Sequence, residues 1–296
     1  MKNLVLGFGT NQSAADCRVF INSLRQVYTP AECDGVLIVD TPPAGIETTG
    51  PKAMTFVTTP NSYPHRGTID RKAKSLLIRI ASIAARAGVS VVARPARSAL
   101  QHAMERWHHP HFARWLAYRD FLETHADYDQ VLLTDVRDVM FQRPFFAERT
   151  DAVQLYEQDT TYGAGNCDSD WYRQAWGEAA LARAAGKPAL CIGTILGPRV
   201  EVLKLVRAFI DYFSPAPFKG VEQAVFNRMI IEGEPRFRFA VNRNLEGAVA
   251  TLANPIAGEA MKIRDGKITD DGGRILPIVH MYDRFDHTDA VARALT

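Results

Sequence analysis

The chain has 296 residues, enough for one large α/β domain, and its 47% hydrophobic and 23% charged content is ordinary for a packed globular protein. Thirty-five basic residues against 33 acidic ones give a formal net charge of +2, so nucleic acid is not expected as the main partner, which would demand a strong basic excess. Cys17, Cys33, Cys167 and Cys191 lie far apart with no C-x-x-C pair, which argues against a paired-cysteine zinc site and against a dense disulfide framework.

Short apolar runs alternate with longer helical patterns, the mark of βαβ units around a largely parallel sheet. Residues 4–6 give a first strand that runs into the turn Gly7-Phe8-Gly9-Thr10, and this apolar run is too short for a signal-peptide core. The spacing predicts a helix over 16–27, with Val19, Phe20, Leu24 and Val27 on one face. Residues 35–40 form a second strand, apolar up to Asp40, as a strand covered on both faces should be. A connector rich in Pro, Thr and Gly occupies 41–60. A helix over 70–87 stops at Gly88, and a short strand follows at 89–93. Trp107-His108-His109-Pro110-His111 has a helix-breaking proline and no i, i+4 histidine pair, so it reads as a loop ahead of a helix over 112–124. Phe112, Trp115, Leu116 and Phe121 are the core face of that helix. Residues 130–134 form a central strand, with later strands at 153–156 and 191–196 and helices over 200–212 and 221–231. From Gly258 the chain reads as irregular until a last strand at 275–280. There is no internal repeat and no run of roughly 18 apolar residues to cross a membrane, so a cytoplasmic protein is expected, with a single domain spanning 1–296.

Residues 128–141, YDQVLLTDVRDVMF, carry the chemistry. An apolar strand runs into Asp135 and Asp138, three positions apart, with Arg137 between them. Ligands of open α/β sheets bind beyond the carboxyl ends of the strands. Two acids held together there need a cation or a proton to relieve their repulsion. A hard divalent ion such as Mn²⁺ or Mg²⁺, shared with phosphate oxygens, is the natural relief. The alternative is a strand-end ion pair with Arg137 or a helix cap.

In its form T-D-x-R-D the segment resembles the D-x-D region of GT-A glycosyltransferases. Three further stretches fall in the order that family requires. Residues 191–197 (CIGTILG) are similar to the strand that lines the acceptor side, with Ile192 where the family often has serine. Residues 222–227 (EQAVFN) resemble the helix start beside the reacting carbon. Residues 279–283 (VHMYD) resemble the late histidine that completes the metal site in glycogenin-like and lipooligosaccharide galactosyltransferase-like retaining enzymes. The acids here are spaced D-x-x-D, which leaves open which one meets metal and which meets ribose. The resemblance implies a Rossmann-like, mostly parallel central sheet flanked by helices. It places nucleotide-sugar binding in 1–140 and a less regular, acceptor-binding half in 141–296. It also implies metal-dependent transfer from a nucleotide-diphosphate sugar, a UDP-sugar ahead of GDP- or dTDP-sugars, to a carbohydrate or other hydroxyl acceptor.

Under that resemblance Asp135, Asp138 and His280 hold Mn²⁺ or Mg²⁺, with His280 ligating as neutral imidazole. Gly7, Gly9, Thr10 and Asn11 approach the nucleotide, since glycine lets the backbone come close and bares its N–H groups. Gln12 stands where a dinucleotide fingerprint has its third glycine, which counts against a nicotinamide cofactor. Asp40 either accepts hydrogen bonds from the base or ribose or starts a turn. Arg66, Arg71, Lys74, Arg137 and Arg284 either offset the diphosphate charge or lie on solvated faces. Gly193 and Thr194 line the acceptor side. With Asp138, Glu222 and Gln223 are nearest the chemistry. Glu222 is either a general base, which gives inversion, or joins Gln223 in binding the donor sugar and supporting an oxocarbenium-like centre, as in the retaining relatives. Tyr162, Trp171 and Trp176 either stack on an acceptor sugar or belong to the core. A sugar-1-phosphate nucleotidyltransferase would want a Gly-, Arg- and Lys-rich loop that residues 7–16 lack, and a haloacid dehalogenase-type phosphatase would want its acid pair near the N-terminus. A non-catalytic carbohydrate- or nucleotide-binding relative stays open as an alternative.

Overall fold

The computed structural model describes residues 2–10, 12–46, 48–60, 101, 103–106, 109–147, 149–213, 222–233 and 235–296. The helix expected over 70–87, the strand over 89–93 and residues Asn11, Arg66, Arg71 and Lys74 lie outside them.

Strand β1 (Asn3–Phe8) is buried over most of its length and takes in Gly7 and Phe8, which the sequence placed in a turn. Helix α1 (Ala14–Val27) opens on a capping box, in which the Ser13 hydroxyl accepts from the Asp16 N–H and the Asp16 carboxylate accepts from the Ser13 N–H. The box satisfies donors that a helix start otherwise leaves free. Strand β2 (Cys33–Val39) follows as expected, but β3 (Thr55–Thr58) lies inside the segment read as a connector. Thr55–Thr58 has no apolar alternation of its own, and its pairing with β2 is what makes it a strand. Helix α2 (Pro110–Thr124) starts with proline in its first turn, where a missing N–H costs nothing.

Next come β4 (Gln130–Thr134), β5 (Val139–Phe141), β6 (Val153–Thr161), α3 (Cys167–Trp176), α4 (Glu178–Ala184), β7 (Pro188–Pro198), α5 (Arg199–Phe213), α6 (Glu222–Glu232), β8 (Phe239–Asn242) and β9 (Val249–Thr251). The tail is more regular than its sequence suggested. Helix α7 (Pro255–Ala260) leads into a hairpin of β10 (Lys262–Arg264) and β11 (Lys267–Thr269), then β12 (Ile278–His280) and α8 (Asp286–Arg293). Asp265 and Gly266 close the hairpin with φ of 49° and 69°, the left-handed pair that an Asp-Gly turn favours. Ile275 makes only an isolated bridge to Thr269, so the last strand starts at Ile278 rather than at 275.

The fold is mixed α/β, with a mostly parallel seven-stranded sheet in the order β3-β2-β1-β4-β7-β6-β8 and helices packed against it. The chain adds β2 and β3 on one side of β1 and then returns to place β4 on the other, so the order reverses between β1 and β4. Beyond the carboxyl ends of strands at such a reversal lies the crevice where α/β sheets bind ligands. One core layer joins α2 and α5 to the sheet, with Trp115 edge-on to Phe209 at 4.7 Å and Phe112 to Phe213 at 5.0 Å. Tyr162 is buried against Tyr172 at 4.9 Å, and Trp171 and Trp176 pack against the same layer. All three therefore belong to the wall of the core. The opposite layer packs α1 against β1, β2 and β5. A second sheet, β5-β12-β9, sits beside the main one and delivers the late histidine. No helix among the described residues is long and apolar enough to cross a membrane.

Candidate metal centre

Asp135 is the first residue past β4. Its N–H donates to the Gly193 carbonyl of β7 at 2.8 Å, which pins the first acid across the sheet. Strand β5 then begins at Val139, directly opposite His280 in the antiparallel pairing with β12, so Asp138 and His280 become neighbours. The turn after the histidine is fixed by Met281, whose N–H donates to the Asp138 carbonyl at 2.7 Å and whose φ of 60° is left-handed. Ligand atoms of Asp135, Asp138 and His280 all fall within 4.8 Å of one another.

The cluster fits a divalent cation on two independent observations. His280 is fully buried, yet its Nε2 has no hydrogen-bond partner, standing 3.5 Å from Asp135 Oδ2 and 3.6 Å from Asp138 Oδ1. A buried polar atom left unpaired costs about 1–3 kcal/mol, a cost that coordination removes. The space beside it is kept open by Gly193, where a Cβ would lie 2.2 Å from His280 Cε1 and 2.6 Å from Asp135 Oδ2. The other ring nitrogen, Nδ1, faces Cys191 Sγ at 3.3 Å, which orients the imidazole as outer partners of metal-binding histidines do. Two carboxylates suit Mn²⁺ or Mg²⁺, and the imidazole also admits Zn²⁺.

A buried ion-pair chain supports the first acid. Arg114, in the first turns of α2, donates to Asp135 Oδ1 and forks onto Glu222 through Nε at 2.9 Å and an Nη at 3.2 Å. The Trp115 indole N–H donates to the same Glu222 oxygen. Burial pushes Glu222 up to about 7, with Arg114 and Trp115 pulling the other way. Burial also works against ionisation of Asp135, but Arg114 and His280 outweigh it and hold its carboxyl below the ordinary range. Burial raises Asp138, and His280 and the more distant Arg137 only partly oppose it. Burial alone would lower His280; the Cys191 sulfur and the two carboxylates outweigh it and hold the imidazole well above its ordinary value.

The other expected residues scatter. Gly7 lies within β1, where a Cβ would meet Val136 and Leu37 side chains at 2.7 and 2.8 Å, so sheet packing accounts for its size. Gly9 and Thr10 follow β1, and Asp40 follows β2, at the same end of the sheet as Asp135. Arg137 and Arg284 are half-exposed and flank Asp283 at 2.8 and 3.7 Å. Thr194 is fully buried in β7 with an unpartnered hydroxyl. Glu222 and Gln223 open α6, and Asn227 ties that helix to β7 through the Leu190 N–H and carbonyl at 2.7 and 2.9 Å. His109 caps α2 by accepting from the His111 N–H at 3.3 Å, and His111 Nδ1 comes to 4.0 Å from Glu222.

The sequence reading missed Arg114 and Cys191. The signal for Arg114 was present: Phe112, Ala113, Trp115, Leu116, Ala117 and Tyr118 surround it, so the turns on either side of the cation are apolar and the next polar residues of the helix lie further along, from Arg119. A guanidinium trapped in such a helix must find buried acids. No family model matches the sequence, and no curated protein does either.

Proposed function

We propose that the chain is a metal-dependent glycosyltransferase that moves a sugar from a nucleotide-diphosphate donor, a UDP-sugar before others, to a hydroxyl acceptor such as a carbohydrate. The observation that carries this reading is the Asp135–Asp138–His280 cluster, with its unpaired Nε2, at the carboxyl end of β4 beside the reversal of strand order. A strand-end acid pair with a late histidine, in the motif order of retaining GT-A enzymes, supports this reading, although the spacing is D-x-x-D where that family has D-x-D. Asp135, Asp138 and His280 hold Mn²⁺ or Mg²⁺, and the bound ion supplies Lewis-acid stabilisation of the departing nucleoside diphosphate. Arg114 keeps Asp135 ionised and in place. Gly9, Thr10 and Asp40 stand at the same sheet end and take the nucleoside. Glu222 is saturated by Arg114 and Trp115 and almost inaccessible, so it is poorly placed to deprotonate an acceptor. That favours retention, as in the relatives whose motifs these stretches resemble.

The test is release of nucleoside diphosphate from a panel of UDP-, GDP- and dTDP-sugars in the presence of Mn²⁺ or Mg²⁺. The expected result is turnover of one donor that chelator abolishes and that the Asp138→Asn/His280→Gln variant lacks. A folded wild-type protein that turns over no donor and shows no metal-dependent rise in melting temperature with UDP or GDP overturns the reading.

A further inference from the structure

A pocket of about 340 Å³ lies along the flank of α1. Arg18, Ile21 and Asn22 line one side of it, and their i, i+3, i+4 spacing puts them on one face of the helix. Ile21 is buried and forms an apolar floor, while Arg18 is exposed and Asn22 half-buried. The facing wall comes from the segment between β2 and β3, through Gly45, Ile46 and Lys52. None of these residues hydrogen-bonds or ion-pairs with Asp135, Asp138 or His280, so the pocket is separate from the metal centre.

Its polar groups are uncommitted. Arg18 and Lys52 form no ion pair or hydrogen bond with any described residue, and Thr296 at the pocket's edge pairs with neither. Arg25, two turns further along the same helix, shows the contrast: its guanidinium is tied to the carbonyls of Ala53 and Cys33. The N–H groups of Gly45 and Ile46 meet no acceptor among the described residues. Gly45 has a φ of 75°, and a Cβ there would meet nothing within 4 Å, so the space beside it is open. Asn22 gives its amide N–H to the Leu295 carbonyl, which leaves Oδ1 as an acceptor that no described residue uses. One concave space thus collects two cations and two backbone donors at its rim, with a single side-chain acceptor among them.

We infer that this pocket binds a small phosphorylated sugar or polyol, with its phosphate between Arg18 and Lys52 and a hydroxyl on Asn22 Oδ1. A guanidinium fork takes two phosphate oxygens side by side, and an ammonium meets the third as a point charge. A phosphomonoester carries a charge of about −2 near pH 7, which answers both cations, whereas a carboxylate answers one and a neutral sugar neither. The ester oxygen leads on to carbon that can lie against Ile21 and Ile46. The volume is near the small end of the roughly 300–1,000 Å³ usual for ligand pockets, which suits a monosaccharide-sized molecule and not a nucleotide-diphosphate sugar. The site is therefore no part of the donor site proposed above, and its assignment does not depend on that reading.

The test is isothermal titration of the full chain, with chelator present so that no metal ion can draw phosphate to the metal centre. Glucose 1-phosphate, glucose 6-phosphate and glycerol 3-phosphate are the probes, with inorganic phosphate and glucose beside them. At least one phosphate ester is expected to bind one-to-one with a Kd below about 1 mM. Inorganic phosphate should bind about tenfold more weakly, and glucose not measurably. Arg18→Gln and Lys52→Gln should each weaken the ester about tenfold, the loss of one charge-assisted hydrogen bond, with the melting temperature of the unliganded protein unchanged. Asn22→Ala should weaken the ester and leave inorganic phosphate as it was. The Asp138→Asn/His280→Gln protein should bind as the wild type does. No binding of any ester overturns the site, and so does an affinity that Arg18→Gln and Lys52→Gln leave unchanged or that Asp138→Asn/His280→Gln abolishes. Inorganic phosphate binding as tightly as the esters overturns the assignment to a sugar or polyol phosphate.

Discussion

Gly193→Ala is the sharpest probe of the metal centre, because one methyl group is aimed at two of its three ligands. The Cβ would lie 2.2 Å from His280 Cε1 and 2.6 Å from both His280 Nε2 and Asp135 Oδ2. Non-bonded carbons settle near 3.5–4.0 Å, so something must give by roughly 1.3 Å or more. The backbone of β7 is held on the β4 side, where the Gly193 carbonyl accepts from Asp135 at 2.8 Å, while on the β6 side Gly193 lies in the irregular stretch between the Gln154–Leu196 and Tyr156–Cys191 pairs. Either the imidazole swings, although it is fully buried and its Nδ1 faces Cys191, or β7 shifts and disturbs the hydrogen bond that places Asp135. Overpacking of this kind costs about 1–3 kcal/mol of stability. Disturbing a ligand's support alone costs about 10- to 100-fold in affinity, and here a ligand itself moves, so a loss of about 100-fold or more in Mn²⁺ affinity is expected. Isothermal titration with Mn²⁺ reads it directly, with circular dichroism to show that the variant is folded. Gly9→Ala is the matched comparison, since a Cβ there meets nothing nearer than 3.5 Å, and its Mn²⁺ affinity should equal that of the wild type. A folded Gly193→Ala protein that binds Mn²⁺ within threefold of the wild type would refute the assignment of these three residues as the ligands.

Three further outcomes follow from the same contacts. His280 and Asp138 are both raised above their ordinary values, and a ligand must lose its proton to bind, so Mn²⁺ binding near pH 7 should release at least about one proton and weaken as pH falls; titration in buffers of different ionisation enthalpy measures the number, and a value near zero contradicts it. Arg114→Met leaves Glu222 and Asp135 without their buried counter-ion and should cost about 3–5 kcal/mol in urea unfolding, much of it recovered by adding Glu222→Gln. Glu201 is held below its ordinary value by Lys204 and by the Arg238 N–H, so its contribution is complete above about pH 4.5 and is lost as pH falls through the lowered folded value; Glu201→Gln should therefore lose about 1–2 kcal/mol at pH 7 and little at pH 3.

Much of the sheet was legible because its central strands are buried on both faces and read as continuous apolar runs. Residues 130–134 are the clearest case, an unbroken VLL core inside a strand with every residue buried. Edge and auxiliary strands were not legible, since β3 and β8 carry no alternation and exist through their pairing with β2 and β6. The hairpin of β10 and β11 did carry its Asp265-Gly266 turn, but three-residue strands give too little periodicity to register on either side of it. For the site, the acids and the histidine stood out because charges at the ends of apolar runs are costly without a reason. Arg114, set among apolar neighbours, showed only that it needed buried acids and not which ones. Its partner Glu222 lies 108 positions away and is brought to it by the fold.

The charge balance of the centre bears on which occupant it suits. Asp135 and Glu222 share one buried guanidinium, Arg114, while the only guanidinium that Asp138 feels is the half-exposed Arg137, and Asp138 and His280 are too buried to draw on bulk water for relief. With His280 neutral, as a ligand must be, three carboxylates against Arg114 leave two negative charges. Protons can absorb that excess, and the upward shifts of Asp138, Glu222 and His280 are the form this takes. A divalent cation absorbs it completely, displaces those protons and takes the lone pair that His280 Nε2 offers once it is deprotonated. A monovalent ion would leave one charge uncompensated in a low-dielectric site, and a trivalent one would overshoot by the same amount. Selectivity for charge two therefore resides in Arg114 as much as in the ligands. Arg114→Met, which deepens the deficit, should shift relative affinity toward trivalent ions such as La³⁺ over Mn²⁺, whereas adding Glu222→Gln should restore the original order. Titration of both ions into the three proteins decides it, and an unchanged La³⁺/Mn²⁺ ratio in Arg114→Met would mean that the ligands alone set the selectivity.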